Sequence, residues 1–363
     1  MKVALVHEFF TQLGGAERVL QALYEIFPQA PVYALVYDPV KTRGVFSNWD
    51  IRTSFLQKLP GAISHYKMFL ALMPKAMESF DLHDYDLVIS DSSAFAKGVI
   101  TRKPTVHISY CHTPTRYLWQ EMDEYVAHLN YSPVVKWLAK QYLPWLKKWD
   151  YRAAQRPDYF IANSETVRAR IKKHYDRDSE VIHPPVDTKF FTPTSYQPPP
   201  KSYYFTASRF VAYKKIDLVI EAFNRLGLPL KVAGDGPQAQ ILRQKARNNI
   251  EFLGRVSDEK LRELYSNAKA FVFPSLEDAG IMVLESLACG THVIGLNAGG
   301  TAEFVRDGVH GVLFVRQETE DITEAINRFE QTSFDPQILK ARALEFDKAV
   351  FKQKMGNFIS RCV

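Results

Sequence analysis

The sequence predicts an α/β fold of two domains, each an open parallel sheet with helices on both faces. Strand-like apolar runs alternate with helical stretches along the whole chain, which is typical of doubly wound sheets. Several of these runs are apolar almost throughout, as expected for parallel strands covered on both faces. At 363 residues the chain also exceeds the usual size of a single hydrophobic core, so two domains are expected.

The predicted strands fall into two sets. The first half of the chain contains "KVALVHEF", "PVYALVY", "YDLVISD", "TVHISYCH", "DYFIANS" and "SEVIHPPV". The second half contains "SYYFTASR", "PLKVAGDG", "IEFLGR", "AFVFPSL" and "THVIGLN". Between them, segments such as "KIDLVIEAFNRLG" and "SDEKLRELYSNAKA" have the apolar spacing of helices, and Ser257 is typical of a helix N-cap.

A domain boundary is predicted at "TPTSYQPPPKS", residues 192–202, because four prolines among polar neighbours are typical of a stiff linker. The N-terminal domain then covers residues 1–191 and the C-terminal domain residues 203–344. A last helix, at about 345–363, is expected to pack back on the first domain. Because open α/β sheets bind ligands beyond the carboxyl ends of their strands, each domain is expected to form one wall of a shared cleft.

Composition excludes several classes of protein. The hydrophobic and charged fractions, 46% and 24%, are those of an ordinary globular protein, and no apolar run is long enough to span a bilayer. The N-terminal apolar run is too short for a signal peptide and is expected to be the first strand. Cys111, Cys289 and Cys362 are widely separated, which favours free thiols in a reducing cytoplasm over a disulfide framework. The net charge of +6 does not by itself choose between nucleic acid, membrane and phosphorylated substrate.

Two basic residues follow the first strand of the second half. Arg209 and Lys214 lie between a strand terminus and the start of a helix, where cations and backbone amides suit a phosphate or diphosphate. Two solvated surface bases are an equally weighted alternative. The next strand ends in Gly234 and Asp235, where the backbone either approaches a ligand or makes a tight turn. Taken alone, the turn is favoured there.

The stretch "LEDAGIMVLESLACG" places Glu277 in a loop and Glu285 inside a helix. One interpretation is that Glu277 complements the helix dipole and Glu285 lies on the surface. However, the neighbours of Glu285 are nearly all apolar, which predicts a buried helix, and a buried carboxylate needs partners. The hydroxyl pair of a sugar or ribose supplies two donors, and the amides of Gly280 and Ile281 favour phosphate oxygens.

Three places in the first half are candidates for a site. Gly14 and Gly15 precede a helix and can approach a phosphate, or form a flexible turn. His112 follows a predicted strand at its carboxyl end, which favours a role in a site over that of an interior histidine. His7, at the end of the first strand, and Arg116 are weaker candidates for contacts with an acceptor.

Residues 131–177 are strongly basic, with 11 Lys and Arg against 4 Asp and Glu, and they contain Trp137, Trp145 and Trp149. This composition fits a helix lying on an anionic membrane surface. A core helix with an inward aromatic stripe and solvated lysines fits it equally well. Residues 65–77, "HYKMFLALMPKAM", are a second candidate for contact with lipid or with a lipid-linked acceptor.

Taken together, these motifs resemble the retaining glycosyltransferases of family 4, whose GT-B architecture consists of two facing Rossmann-like domains. The resemblance rests on "GGAERV", "SRFVAYKKIDLVIEAF", "GDGP", "FLGRVSDEKLRELYSNAKAFVFPS", the two glutamates eight positions apart and "GGTAEFVRDGVHG", in that order. Within the family, "YCHTPTRYLW", "VIHPPVDTKFF" and "SRFVAYKKIDL" are most similar to mannosyltransferases that use GDP-mannose.

The resemblance implies a role for each matched residue. Arg209 and Lys214 would hold the donor diphosphate and stabilise charge on the leaving nucleotide. Glu277 would bind hydroxyls of the transferred sugar, Glu285 the ribose, and His112 the transferring sugar. The other implied donor contacts are Gly14 and Gly15 over the diphosphate, the Gly234–Asp235 turn, the amides of Gly280 and Ile281 at the phosphates, and the backbone near Arg255 and Val256 at the base.

Two positions depart from the family pattern. Ala279 stands where the family usually has an aromatic residue, which leaves more room beside the sugar pocket. Lys215 replaces the glycine that commonly follows Lys214 in the family.

The resemblance therefore predicts transfer of a hexose to a hydroxyl of a glycan or lipid-linked acceptor in cell-surface polysaccharide synthesis. The hexose it favours is mannose, with GDP-mannose as the donor. No side chain is a credible nucleophile at the sugar, and the resemblance implies that retention comes from front-face attack with a phosphate oxygen as base. No Asp-x-Asp follows a strand, and we expect neither a metal nor a cofactor. A UDP-sugar donor, a retaining glycoside hydrolase and a non-catalytic nucleotide-sugar-binding protein remain alternatives. We expect a cytoplasmic protein, at the inner membrane face if residues 131–177 bind lipid, and no nucleic-acid partner.

Overall fold

The computed structural model describes residues 1–119, 133–194, 201–335 and 337–363. By their contacts these residues form two compact units, the first of Met1–His183 with Lys352–Val363 and the second of Pro184–Phe351. Each unit contains one sheet in which all strand pairs are parallel. The predicted α/β class with two Rossmann-like units is confirmed.

The first unit is built on a seven-stranded sheet with the order β3-β2-β1-β4-β5-β6-β7. Its strands are β1 (Val3–Phe10), β2 (Val32–Tyr37), β3 (Ile51–Thr53), β4 (Leu87–Ser92), β5 (Val106–Cys111), β6 (Tyr159–Ala162) and β7 (Glu180–Val181). Its helices are α1 (Gly15–Ile26), α2 (Ala62–His65), α3 (Met73–Glu78), α4 (Arg116–Trp119), α5 (Pro133–Ala153) and α6 (Glu165–Tyr175). The strands β1, β2, β4 and β5 are buried along nearly their whole length, because helices cover both faces of the sheet.

The second unit is built on a six-stranded sheet with the order β10-β9-β8-β11-β12-β13. Its strands are β8 (Tyr203–Arg209), β9 (Leu230–Asp235), β10 (Ile250–Gly254), β11 (Ala268–Phe273), β12 (His292–Leu296) and β13 (Gly311–Phe314). Its helices are α7 (Ile216–Leu226), α8 (Ala239–Lys245), α9 (Asp258–Asn267), α10 (Ile281–Ala288), α11 (Gly299–Phe304), α12 (Thr319–Gln331) and α13 (Gln337–Leu344). The Ser257 hydroxyl accepts a hydrogen bond from the Lys260 amide at 3.3 Å, so the predicted N-cap of α9 is confirmed.

The domain boundary lies earlier than the proline-rich stretch at 192–202. The chain passes from one unit to the other between His183 and Pro184, and residues 195–200 of the predicted linker lie outside the described residues. Val186 exchanges backbone hydrogen bonds with Phe346 and Lys348 at 2.9 and 3.0 Å. Val186 is also buried in the core of the second unit, which ties this segment to that unit before any proline of the linker.

The last helix, α14 (Lys348–Cys362), contributes to both units. From Lys352 onward its residues belong to the first unit, where the Lys352 ammonium lies 2.9 Å from the Glu25 carboxylate. The Phe358 ring packs edge-on against Tyr159 of β6. Within the described ranges, none of the helices combines the length and the hydropathy needed to cross a membrane.

The two sheets share one topological property that positions a site. In the first sheet the strand order reverses between β1 and β4, and in the second it reverses between β8 and β11. On either side of such a point the connections lead away in opposite directions, which leaves a crevice beyond the carboxyl ends of the two strands. Residues that follow β1, β4, β8 and β11 are therefore the first candidates for binding a ligand.

A buried ion pair holds three helices of the first unit to the segment after β4. The Asp150 carboxylate of α5 accepts hydrogen bonds from the Lys97 ammonium at 2.6 Å and from the Thr115 hydroxyl at 2.7 Å. Its second oxygen accepts from the Trp119 indole at 2.7 Å and the Tyr175 hydroxyl at 2.8 Å. Both charged side chains are 1% exposed, so each depends on the other for its charge to be tolerated.

Lys97→Met should lower the free energy of unfolding by about 3–5 kcal/mol, because it leaves the Asp150 carboxylate buried without its counter-ion. Lys103→Met is the matched control, since this 89%-exposed lysine lies 3.5 Å from Asp158. That exposed pair should contribute at most about 1 kcal/mol. Urea unfolding followed by circular dichroism would measure both, and equal losses would show that the buried pair has no special weight.

Candidate active site

The loop after β11, residues 274–280, is fixed by the segments that follow β12 and β13. The Gly300 amide at the start of α11 donates to the Glu277 carbonyl at 2.9 Å. The Gln317 side chain donates to the carbonyl at the start of the loop at 2.8 Å. The loop ends at Gly280, which is the N-cap of α10, so Glu277 lies in the loop as predicted.

An ion pair spans the reversal point of the second sheet. The Lys214 ammonium, after β8, pairs with the Glu277 carboxylate, after β11, and both side chains are largely but not fully buried. The Ser275 hydroxyl also donates to the Lys214 carbonyl at 3.0 Å, so the two loops are joined through backbone as well as charge. An ammonium has three donors and a carboxylate two acceptor oxygens. The pair can therefore offer a donor to an anion and an acceptor to hydroxyl groups while it stays formed.

Arg209 and Lys215 complete the segment after β8. Arg209 ends that strand with its side chain exposed. Lys215, at the position where the resemblance gives glycine, has a φ of 55° and a ψ of 31° in the left-handed region and caps α7. A residue with a Cβ pays about 1 kcal/mol for that conformation, which explains why glycine suits the position.

Glu285 is buried within α10, with 1% of its surface exposed. The Tyr265 hydroxyl of α9 lies 3.4 Å from its Oε2. The prediction of a buried helix is confirmed, and the interpretation of Glu285 as a surface residue is wrong. The role of its carboxylate in binding a ribose stays a prediction.

The segments after β9 and β10 bring Asp235 and Arg255 together. The Arg255 guanidinium lies 3.5 Å from the Asp235 carboxylate, and both side chains are exposed. Asp235 also accepts from the Gly236 amide at 2.8 Å. Val256 is half-buried against the core of the unit. The predicted donor contacts Asp235 and Arg255 are thus neighbours at the carboxyl ends of two adjacent strands.

Two glycines are required by close packing of the backbone. A Cβ on Gly234 would lie 1.9 Å from the Ser208 carbonyl oxygen, and φ there is 134°. This contact with β8 accounts for Gly234 without a ligand. A Cβ on Gly300 would lie 2.2 Å from the Ala279 carbonyl oxygen, so Gly300 lets α11 approach the loop that carries Glu277. Gly300 was missed by sequence reasoning, although its Gly-Gly pair directly follows a predicted strand.

In the first unit, one carboxylate joins two histidines at the reversal point of the sheet. Asp91, at the end of β4, is paired in register with His7 of β1. Its Oδ2 lies 2.9 Å from His7 Nδ1 and its Oδ1 lies 2.6 Å from His112 Nε2. The side-chain amide of Asn163 donates to the His112 backbone carbonyl at 3.0 Å. The structure thus brings together two histidines that the sequence analysis proposed separately, through an aspartate that it missed.

The electrostatics of this cluster favour charged imidazoles. Burial lowers the pKa of His7, but hydrogen bonds and charges of Asp91 and Glu17 raise it well above its usual value in the net balance. Burial likewise lowers the pKa of His112, but the charge of Asp91 and its hydrogen bond outweigh burial, so this pKa lies above its usual value. Burial raises the pKa of Asp91, and the two histidines outweigh this effect and lower it. The cluster is therefore an anion shared by two protonatable rings.

Glu17 connects this cluster to the loop after β1. The Gly14 amide donates to Glu17 Oε2 at 2.8 Å, and His7 Nε2 lies 3.7 Å from Glu17 Oε1. The Gly14 amide is thus engaged by a buried carboxylate, whereas Gly15 is exposed at the first position of α1. Arg116 is half-buried at the start of α4.

Comparison with known proteins also divides the chain in two. Residues 13–190 match the model of the family described as "Glycosyltransferase Family 4", and residues 190–345 match that of "Glycosyl transferases group 1". The chain belongs to these glycosyltransferases. Their two consecutive domains account for nearly all of the described residues, and they include every candidate site residue except His7.

Individual relatives of this glycosyltransferase are distant. It is 27% identical over 348 residues to the O-antigen chain mannosyltransferase C of Escherichia coli, with 88% of this chain and 86% of that protein covered. It is 28% identical over 216 residues to the D-inositol 3-phosphate glycosyltransferase of Streptomyces bingchenggensis, covering 50% of this chain. The match spans 47% of that relative, so about half of its length.

Solved structures show the GT-B fold of this glycosyltransferase. The Anabaena protein HepE, in complex with UDP and glucose, superposes with a TM-score of 0.74 at 19% identity, with 99% of each chain covered. The sucrose-phosphate synthase of Thermosynechococcus elongatus superposes with a TM-score of 0.71 at 16% identity, again with 99% of each chain covered. At such identities the likeness concerns the fold.

Further carboxylates of this glycosyltransferase were missed because their partners are distant in sequence. Glu8 is buried beside His7 and accepts from the Ser92 hydroxyl at 3.1 Å and from the amides of Ser93 and Ala94 at 2.9 and 2.8 Å. It therefore shapes the loop after β4. A test for polar residues at the ends of adjacent parallel strands would have found Asp91 and Glu8.

Asp91→Asn should lower the pKa of His112, because it removes the charge that raises this pKa and leaves the burial that lowers it. Asp91 ionises below its usual pKa of 3.8, and the histidines stay protonated above their usual 6.5. Its stabilising interaction is thus lost as pH falls through the lowered pKa, and again as pH rises through the raised ones. The stability difference between the wild type and the variant should be largest from about pH 4 to pH 6.5.

Titration of the histidine ring protons by NMR would test this prediction. His310 of the second unit is the internal control, because burial lowers its pKa without a contribution from Asp91. An unchanged His112 titration in the variant would show that the Asp91 contact does not govern its charge.

Proposed function

We propose that this glycosyltransferase moves mannose from GDP-mannose to a hydroxyl of a glycan or lipid-linked acceptor, with retained configuration. The observation that carries the proposal is the Lys214–Glu277 pair at the reversal point of the second sheet. A cation that suits a diphosphate and a carboxylate that suits sugar hydroxyls are held there side by side. Glu285, the fifth residue of α10, lies eight positions further along the chain and is proposed to bind the ribose.

The proposed reaction breaks the bond between the sugar's anomeric carbon and a diphosphate oxygen. The acceptor oxygen forms its bond to the same face of that carbon, and its proton passes to the departing phosphate oxygen. Negative charge therefore grows on the leaving nucleoside diphosphate, beside Lys214 and Arg209. Fixed cations at that position stabilise the transition state more than the ground state.

The donor is proposed from two lines of support. The motifs most similar to GDP-mannose enzymes include the segment of Arg209 and Lys214, and a mannosyltransferase is 27% identical to the chain over 88% of its length. A UDP-sugar is the second candidate, because the three HepE structures contain UDP with glucose, UDP alone and UDP-glucose. The small buried side chain of Ala279 beside Glu277 is compatible with more than one hexose.

The first unit is proposed to contribute the remaining contacts. His112 is assigned to the transferring sugar and Arg116 to the acceptor. His7 is also a sequence-based candidate for the acceptor, but it is almost completely buried and bound to Asp91, so we assign it the positioning of Asp91 instead. We further propose that transfer needs no divalent metal, and loss of activity on addition of a chelator would contradict this. Cell-surface polysaccharide synthesis is the proposed context.

Purified protein should be stabilised against heat by GDP, and less by UDP or ADP, each added without metal. A nucleotide at about 100 times its dissociation constant contributes about 2.7 kcal/mol to the folded state. In a chain of this size that is a shift of roughly 2–4 °C. A shift with UDP alone would retain the enzyme class and replace the donor. No shift with any nucleotide would favour a glycoside hydrolase or a binding function other than the one proposed.

Glu285→Gln should remove most of the nucleotide-induced shift if its carboxylate binds the ribose. Tyr265→Phe is the control, because it deletes the hydroxyl near Glu285 and leaves the carboxylate in place. If Glu285 served only the fold, its variant would melt earlier but bind GDP with unchanged affinity in calorimetry.

Arg209→Ala should reduce turnover on the order of 10² to 10³-fold, by analogy with loss of one oxyanion donor. Release of GDP from GDP-mannose, with and without an acceptor extract, provides the assay. Arg225→Ala is the control, since Arg225 is an exposed residue of α7 that pairs with Glu221 and Glu320. Near-normal turnover of the Arg209 variant would remove it from the mechanism. Nucleotide binding without release or transfer would favour a non-catalytic protein.

A further inference from the structure

The outer face of α5 exposes large apolar side chains. Trp137 is 61% exposed, Leu138 53% and Trp145 52%. The opposite face of the same helix is buried, with Leu143 and Leu146 in the core of the first unit. Trp137 and Trp145 therefore do not belong to the inward aromatic stripe of a core helix. Trp149 does point inward, and it is 8% exposed.

The charges of α5 all have one sign on its accessible surface. The helix contains five basic residues, Lys136, Lys140, Lys147, Lys148 and Arg152, and a single carboxylate, Asp150. That carboxylate is 1% exposed and paired with Lys97, so it does not reach the surface. The apolar side chains of α5 thus lie among cations without a neighbouring anion from their own helix.

The adjacent helix in the sequence, α6, distributes its charge differently. Arg168 pairs with Glu165 at 2.5 Å. Lys172 lies 3.1 and 3.3 Å from Asp176 and Asp178. These are solvated ion pairs on an ordinary polar surface. In contrast to α5, the second helix thus places carboxylates next to two of its surface cations.

A second apolar segment adjoins α5. The Tyr142 hydroxyl donates to the Ala71 carbonyl at 3.3 Å, and the Tyr142 ring lies 5.2 Å from that of Trp145. Ala71 belongs to the short 3-10 helix Tyr66–Leu72, in which Met68 is 68% exposed. Lys67 beside it is also exposed. The sequence pattern of basic and apolar residues thus continues from α5 onto this segment.

A shallow cavity of about 490 Å³ lies along α5. It is lined by Trp119, Pro144, Lys147, Lys148, Tyr151 and Arg152. Three of these side chains are cationic and none is anionic. The cavity suits an anionic headgroup, and the indoles of the same helix suit the boundary between headgroups and acyl chains.

We propose that this surface, formed by Trp137, Leu138 and Trp145 of α5 with Met68, docks the chain on an anionic phospholipid bilayer. Exposed indoles enter the interface while the surrounding lysines meet the negative surface potential. A second copy of the chain is a poorer occupant. A two-fold dimer would place the same cations of both copies against each other, and α5 exposes no carboxylate that could separate them.

The proposal is independent of the donor and the reaction, because docking needs neither nucleotide nor acceptor. Its failure would leave the transfer reaction untouched, and failure of the transfer reaction would not affect it. If both hold, the surface keeps the enzyme where a lipid-linked acceptor is concentrated.

Co-sedimentation of the full chain with vesicles would test the proposal. Vesicles of phosphatidylcholine alone are compared with an equimolar mixture with phosphatidylglycerol, at low salt and at about 0.5 M salt. We expect binding to the mixed vesicles only, weakened by salt. Trp137→Ala with Trp145→Ala should reduce the partition coefficient on the order of tenfold or more, because the variant lacks the exposed apolar surface that enters the interface. Lys140→Glu with Lys148→Glu should reduce it by a similar factor.

Matched variants locate the surface. Lys172→Glu with Lys173→Glu makes the same charge change on α6, and Ile241→Ala with Val315→Ala removes exposed apolar side chains of the second unit. Both pairs should bind vesicles like the wild type. Equal loss in the α6 variant would overturn the location, and binding of the wild type to neither vesicle would overturn the proposal. A dimer in sedimentation velocity that the tryptophan variant loses, without vesicle binding, would instead assign the surface to self-association.

Discussion

The geometry of the candidate site depends on the loop between β11 and α10. A loop that carries a carboxylate next to the start of a buried helix would be free to move if only its two ends were fixed. Here three hydrogen bonds hold the loop along its length. A hydroxyl of the loop donates to a carbonyl of the segment after β8, a backbone amide of α11 donates to a loop carbonyl, and a side-chain amide after β13 donates to another. Three neighbours in the sheet thus determine where Glu277 lies, and the ion pair with Lys214 completes the arrangement.

The two units use the same position in a parallel sheet for different chemistry. At the reversal point of the first sheet, an aspartate is shared by two imidazoles, whose pKa values it raises against the effect of burial. At the equivalent point of the second sheet, the partner of the carboxylate is an ammonium, which donates hydrogen bonds and cannot accept them. The first arrangement is suited to orienting rings and hydroxyls, and the second to meeting a nucleotide's phosphates.

Local sequence patterns predicted the fold class, eleven of the thirteen strands of the described residues and the burial of Glu285, because each depends on residues near in the chain. The missed strands are β3, which has only three residues, and β13, which has only four and begins at the last glycine of a glycine-rich motif. Asp91 and Gly300 were missed for another reason. Asp91 matters because it binds His7, 84 positions away in the chain. Gly300 matters because it lets the backbone of α11 approach the Ala279 carbonyl. A local sequence pattern contains neither contact. The boundary between the units lies before the predicted linker, because Val186 belongs to a core formed mainly by residues far downstream.

The path of α14 has a consequence for how the protein is made. Residues 352–363 belong to the first unit, although the whole of the second unit, residues 184–351, precedes them in the chain. Until these residues have left the ribosome, the second unit can complete its sheet, but the first unit lacks the part of α14 that carries Phe358 against β6. The usual order of co-translational folding, N-terminal unit first, is therefore reversed at its final step. A nascent chain of residues 1–351 would contain every residue of the second unit but would lack the segment that completes the first.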